Sequence, residues 1–252
     1  MKLIVKSRNH SCAPLRNIQT RKRVIYRMGS TSPTTRPEIE INSIDSCRIS
    51  SDKILMKKAF DEVGINTAEW FTIPNRKVGR DYIKKRLYRW GCPIIAKKFN
   101  SSKGNGIYLI KSVHDFLEIP GDITRYVFEK YYNYTKEYRL HVSRFGCFYT
   151  SRKMLRNNAE IRWHRHSNNS VFINEENPQF DKPVTWNKIV KQCQDIMEHI
   201  GLDIAAFDVK VSKSGEFIIL ESNSAPSLKE QGIEKYTTEL KRIIDYKTNG
   251  RI

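Results

Sequence analysis

From Asp52 onward the apolar positions along the chain become regular. Ser51 or Asp52 stands as an N-cap, Ile54, Leu55, Ala59, Phe60 and Val63 follow at helical spacing, and Gly64 ends the run, which predicts a helix. A second helix is predicted from near Asp81 to Gly91. PIIAKKF, introduced by Pro93, and GIYLIK read as strands either side of the small-residue loop NSSKGN, and Ser112 with Asp115 marks a short capped helix. RYVFEKYY, EYRLHV and CFYTSRKM read as three further strands, the last two joined near Gly146. Residues 156–184 have little periodicity. Trp186, Ile189, Val190, Cys193, Ile196, Met197 and Ile200 then form the buried stripe of a helix from Thr185 to Ile200, stopped by Gly201. DIAAFDVKV and EFIILESN flank the turn KSG, and an amphipathic helix is predicted near 234–246. Ahead of all this, KLIV and RVIYRM are two short strands, and the Ser/Thr/Pro-rich stretch 27–52 reads as a linker. Helices and hairpins alternate without βαβ regularity, so the expected class is α+β.

Composition narrows the setting. The chain has 252 residues, 39% of them hydrophobic, enough to bury a core. The longest apolar runs are far short of a membrane span, and the start lacks the apolar stretch and cleavage site of a secretory signal, so a soluble, cytoplasmic protein is expected. Five scattered cysteines without a CxxC pair suggest reduced thiols rather than disulfides or zinc. A net charge of +18 attracts polyanions: nucleic acid, an acidic protein or a phosphorylated small molecule. No zinc-finger or RNP motif accompanies it, so nucleic acid is a rival partner and not the favoured one.

Three groups of residues carry candidate chemistry. If Ser214 and Gly215 are the central turn residues, Asp208 lies opposite Glu221 across a hairpin, with Asn223 on the same face. Two facing acids are unfavourable unless a cation sits between them, and hard oxygen donors suit Mg²⁺ shared with nucleotide phosphates; the alternative is a pair of solvated surface acids. Second, Lys97 precedes a loop, Asn100 to Gly106, whose Gly104 and Gly106 run into a strand. That order excludes a P-loop and a Rossmann turn, and leaves either a phosphate-covering hairpin loop or an ordinary connection. Third, alternation puts Glu137, Arg139 and His141 on one face, a site wall or a solvated surface.

Taken in order, Asp52–Lys53, PIIAKK with SSKGNGI, VFEKYY, EYRLHV, GLDIAAFDVK and FIILESNSAPSLKEQGIEK resemble the ATP-grasp superfamily over about residues 51–246, most closely the RimK-type carboxylate–amine ligases. The resemblance implies two α+β lobes with antiparallel sheets gripping ATP, the smaller at 51–127 and the larger at 128–252, behind a reduced N-terminal region at 1–50. It implies that Lys53 and Lys97 contact ATP phosphates, with Ser102, Gly104 and Gly106 in the loop over them, that Glu129, Lys130 and Tyr131 form the adenine hinge, and that Glu137 holds the ribose. Asp208, Glu221 and Asn223 would bind one or two Mg²⁺, with Mn²⁺ as an alternative ion. Arg152, or else Lys153, would act near the transferred phosphate together with Lys97. Lys98 stands where the family often has Pro.

The polar segment SRKMLRNNAEIRWHRHSNN resembles the stretch over the acceptor site in RimK-type ligases, which implies a substrate held there by Arg139, Arg162, Arg165 and Asn168, with Arg156 and Asn169 beside them; the alternative is a solvated basic loop. His164 and His166 lack the further ligands of a zinc site. The implied reaction joins a small-molecule or peptide carboxylate to an amine through an acylphosphate, releasing ADP and phosphate. Its rivals are a kinase acting on a polyanion and a non-enzymatic nucleic-acid-binding protein.

Overall fold

The computed structural model describes residues 1–7, 10–34, 36–99, 101, 105–165 and 169–250. The chain begins with a parallel sheet of β1 (Ile4–Ser7), β2 (Val24–Met28) and β3 (Ile39–Ile41), in that order, with a 3-10 turn, His10–Asn17, between the first two. Residues 27–52 are therefore not a linker. They hold β3 and a helix, α1 (Ile44–Ser51), capped by the Ser43 side chain. Ser, Thr and Pro hid a strand of only three residues.

The next helix, α2 (Lys53–Val63), starts at Asp52, whose carboxylate accepts from the N–H groups of Ile54 and Leu55, and stops at Gly64 in the left-handed conformation (φ 71°). β4 (Trp70–Thr72), missed in the pattern because it is so short, precedes α3 (Arg76–Trp90). That helix begins earlier than expected because Asn75 caps it and Gly79 lets it pack closely on Ile73 and Phe116. β5 (Ile94–Lys98), β6 (Ile107–Ile110), α4 (Val113–Leu117, with the expected Ser112–Asp115 capping box) and β7 (Tyr126–Lys130) complete an antiparallel sheet in the order β4-β7-β5-β6. Its core is Phe71, Ile83, Ile94, Ala96, Ile110, Phe116 and Phe128, lying between sheet and helices.

The larger antiparallel sheet runs β10-β9-β8-β11-β12, from β8 (Lys136–Ser143), β9 (Gly146–Leu155), β10 (Ser170–Asn174), β11 (Ile204–Val211) and β12 (Phe217–Asn223). β10 lies in the stretch that showed no periodicity. α5 (Trp186–Ile200) covers one face, and its Ile189, Cys193, Ile196 and Met197 meet Tyr138, Leu140, Phe207 and Val209. Met56, Ala59 and Phe60 of α2 join this core, so α2 packs with the larger sheet although its sequence neighbours belong to the smaller one. α6 (Glu230–Asn249), longer at both ends than expected, packs Tyr236, Leu240 and Ile243 against the N-terminal sheet. The class is α+β as expected.

Candidate functional site

The hairpin of β11 and β12 places Asp208 opposite Glu221, as expected, but by another route. Val211 pairs with Phe217 across a five-residue connection, a register that would set Asp208 against Leu220. A bulge between Asp208 and Val209 takes up one residue of β12 and restores the pair.

Asp208 is only 6% exposed, which excludes a solvated surface acid. Its Oδ1 accepts from Arg139 Nε at 2.7 Å, and its Oδ2 from Arg139 Nη2 and Lys153 Nζ, both at 2.8 Å. Burial opposes ionisation, but the two cations outweigh it and hold the carboxyl well below the usual range. Asp208 and Glu137 together overcome burial and raise Lys153, whose ammonium also donates to Glu137 Oε1 at 2.8 Å. Thus Glu137, Arg139 and His141 do share one face, and it is a buried wall. His141, whose Nδ1 lies 2.9 Å from the Tyr236 hydroxyl, is driven by burial, with Arg139 adding to it, down to about 3 and stays neutral.

The cation predicted between the two acids is thus partly supplied by Arg139 and Lys153. The Glu221 side chain, by contrast, has no hydrogen bond or ion pair among the described residues, and Asn223 Oδ1 accepts from Ala225 N at 2.8 Å. Among the described residues no group of three His, Cys, Asp or Glu side chains could hold a metal by itself. An open carboxylate beside Asp208 and an amide oxygen suits Mg²⁺, which takes one or two carboxylates and shares the rest of its shell with phosphate and water.

A second ion-pair group joins the smaller sheet to α2. Glu129, 3% exposed, receives Lys97 Nζ at 2.7 Å and Lys57 Nζ at 3.4 Å. Burial raises the Glu129 carboxyl, the lysines outweigh it, and the net shift is downward. Burial lowers Lys57, and Glu129 only partly compensates. Lys97 ends above its ordinary range because Glu129, with Glu221 and Glu137 further off, overcomes its burial. The last two acids belong to the larger sheet, and Lys57, which shares Glu129 with Lys97, reaches that sheet through Thr67, whose Oγ1 donates to Ile219 O at 2.8 Å. Lys53 Nζ donates to Ser101 O at 2.9 Å and ties α2 to the loop after β5.

The other expected positions divide. Gly106 closes the β5–β6 turn with φ 67°, its carbonyl accepting from Lys98 N at 2.9 Å, and a Cβ there would meet Lys98 Cβ at 2.9 Å. Ser102, Gly104, His166 and Asn168 lie outside the described residues. Lys130 is engaged by Glu69 at 3.0 Å, and the Tyr131 ring lies 5.4 Å from the ammonium of Lys210. Arg165 closes over Glu137, with Nη1 3.7 Å from Oε2 and Nη2 donating to Thr135 O at 2.7 Å. Arg156 and Arg162 are exposed, and Asn169 ties its own loop through the carbonyls of Ile161 and His164.

Arg152 does not join the Asp208 group. It lies on the opposite face of β9, bound to Asp181 Oδ1 at 2.6 Å and Gln179 O at 2.9 Å, where its register partner Tyr138 also points. Strand alternation then gives the site to its neighbour Lys153. Sequence reasoning also passed over Lys57 and Lys210. Each carried a signal: Lys57 is one helical turn beyond Lys53, and Lys210 is two strand positions beyond Asp208. Burial lowers Lys210 to about 8, Glu137 opposing.

No family model matches the chain, and no curated protein sequence matches it. Solved structures do. D-alanyl-alanine synthetase A of Vibrio cholerae aligns at TM-score 0.66 and 12% identity, over 83% of this chain and 68% of that one. Carboxyaminoimidazole ribonucleotide synthase of Aspergillus clavatus, complexed with ATP, aligns at 0.68 and 14%, over 88% and 60%. The ATP-grasp ligase PsnB, complexed with a phosphomimetic variant of a minimal precursor, Mg and ADP, aligns at 0.57 and 13%, over 84% and 62%. The chain has the ATP-grasp fold. It spans about two thirds or less of the length of these three structures. Within the ATP-grasp fold of this chain, the Asp208 group lies on the larger sheet and the Glu129 group joins the smaller sheet to α2, which packs on the larger one.

Proposed function

We propose that the chain is an ATP- and Mg²⁺-dependent carboxylate–amine ligase. The observation that carries the reading is the convergence of Lys97 from the smaller sheet with Lys153, Arg139 and Asp208 of the larger one beside an open Glu221. The similar structures named above include amide-forming and ATP-bound enzymes, which supports the same class of reaction. The finer likeness to RimK-type ligases rests on the sequence motifs.

In this reading, lobes at about 51–127 and 128–252 hold ATP between them, with β7 reaching to Lys130 in the smaller. The hinge Glu129–Tyr131 lies by the base, Glu137 by the ribose, and Lys53 and Lys97 by the phosphates. Asp208, Glu221 and Asn223 would hold Mg²⁺, which neutralises charge on the phosphates when bound. A carboxylate oxygen attacks the γ-phosphorus, the bond to the β–γ bridging oxygen breaks, and ADP leaves. An amine then attacks the acyl carbon of the acylphosphate, inorganic phosphate departs, and the nitrogen loses a proton to give the amide. Lys97, Lys153 and Arg139 supply positive charge and position as it moves. Lys153 takes the role first expected of Arg152, and Arg162, Arg165 and Asn168 keep the acid-binding role that the sequence resemblance implies. We place the protein in the cytoplasm, where its five cysteines, none in a disulfide, stay reduced.

The test is a screen of carboxylate and amine pairs, small molecules and peptides, with γ-labelled ATP and Mg²⁺. The expected result is ADP with label in free phosphate and an amide product. Label retained on the product would make it a kinase, and failure to bind Mg-ATP would overturn the nucleotide site.

A further inference from the structure

The ligase reading leaves the net charge of +18 unexplained, and that charge is not evenly spread. Residues 1–37 carry nine Lys and Arg and no acid, and residues 76–114 carry eleven and one acid, while the rest of the chain has 25 against 26. The second segment opens with α3, RKVGRDYIKKRLYRW. Two of its cations have internal roles: Arg76 caps the carbonyls of Leu117 and Gly121, and Arg86 lies over Phe71 and Trp90 at 5.3 Å. Lys77, Arg80, Lys84, Lys85 and Arg89 are exposed and form no ion pair or side-chain hydrogen bond among the described residues.

This arrangement is costly for the isolated chain. Arg80 and Lys84, and Lys85 and Arg89, are like charges one turn apart and so repel, with the exposed Asp81, one turn from Lys77 and Lys85, as the single acid of the helix to offset them. The first turn has no acid to meet the helix dipole and carries Arg76 and Lys77 instead. Tyr88, 91% exposed, stands among these cations, with Tyr82 and Val78 also open. An external polyanion relieves the repulsion, and a flat aromatic ring between cations offers a stacking platform.

We infer that the outer face of α3 binds a single-stranded nucleic acid, with Lys77, Arg80, Lys84, Lys85 and Arg89 on phosphates and Tyr88 stacked on a base. The combination of unpaired cations and an exposed ring is the footprint of single-strand binding. From Lys77 to Arg89 the face is about 18 Å long at ~1.5 Å per residue, room for the few nucleotides of a small site, ~4 at the lower end. It is separate from the nucleotide site. Ala96 and Phe128 point to the α3 side of the smaller sheet, and their strand neighbours Lys97 and Glu129 to the other.

The experiment is fluorescence anisotropy of the full chain with a labelled single-stranded RNA of about 15 nucleotides. Five phosphate contacts predict that affinity falls about a hundredfold between about 50 and 200 mM salt, at ~0.7 per phosphate in the log–log slope. Lys77→Gln/Lys84→Gln/Lys85→Gln keeps helix propensity and should reduce that fall to about sevenfold, with weaker binding at low salt. Tyr88→Ala should weaken binding at least about fivefold with the slope unchanged. Lys2→Gln/Arg16→Gln/Arg21→Gln removes the same charge from the other basic segment and should change affinity by less than about twofold. Equal loss in the two triple variants would mean a diffuse field and overturn the inference. So would an unaffected Tyr88→Ala, tighter binding to duplex than to single strand, or displacement of the RNA by an equal concentration of polyglutamate, which would make the surface one for acidic peptides.

Discussion

Replacing Glu129 by Gln removes the carboxylate that pairs with two lysines, Lys57 at 0% and Lys97 at 14% side-chain exposure. Breaking a buried pair by deleting one partner costs about 3–5 kcal/mol. The lower figure applies, because Gln keeps an acceptor for Lys97 and Lys57 retains its 2.5 Å bond to Thr67 Oγ1. At about 2–4 °C per kcal/mol for a chain of this size, the melting temperature should fall by about 6–12 °C at neutral pH. The pH dependence follows from the direction of each shift. Glu129 is depressed in the folded state, so its contribution is present above its unfolded value, ~4.3, and is lost as pH falls through the folded one. Lys97 is raised, so its contribution is present below ~10.4 and is lost as pH rises through its folded value. Lys57, already lowered by burial, loses its partner in the variant and sheds its proton more readily, which relieves the penalty as pH rises. The gap between wild type and variant is therefore widest near neutrality and narrows toward both extremes. Thermal melts followed by circular dichroism across that range test this. Lys57→Met/Glu129→Gln should recover more than half of the loss, since it removes the stranded charge. A neutral-pH shift below about 2 °C, or a gap that widens toward high pH, would refute the account of this ion-pair group.

Asp208→Asn and Glu221→Gln should both abolish turnover, yet only the first should lower the melting temperature substantially, because Asp208 balances Arg139 and Lys153 while Glu221 has no partner among the described residues; equal melting temperatures would contradict the assignment. Lys153→Met should reduce kcat/KM by at least about a hundredfold, whereas Arg152→Met, which removes a half-exposed bond to Asp181, should cost less than about 1 kcal/mol of stability and leave kinetics near normal. The reverse order would return Arg152 to the site.

Much of the site was readable along the chain because strand alternation and cap chemistry are local. Asp52 as a cap, the Ser112–Asp115 box, the shared face of Glu137, Arg139 and His141, and the helix stripe from Trp186 to Ile200 each depend on residues within a turn or a strand. Three elements did not rise above noise: β3 and β4 have three residues each, and β10 lies in a polar stretch without periodicity, and they exist because neighbouring strands supply their hydrogen bonds.

What the chain order could not decide was which charges meet. Asp208 faces Glu221 only because a bulge in the hairpin offsets the length of its connection, a balance invisible to the turn residues alone. The compensating charges come from elsewhere in the sequence, Arg139 and Lys153 for Asp208, Lys57 and Lys97 for Glu129. Arg152 and Lys153 stand side by side in the sequence, and the sheet face that β9 shares with Glu137 of β8 and Asp208 of β11 selects between them. Sequence determines local geometry through steric and hydrogen-bonding rules of short range. Charge pairing in a buried cleft is set by the packing of distant strands, because burial makes an unpaired ion so costly that partners must be found wherever the fold provides them.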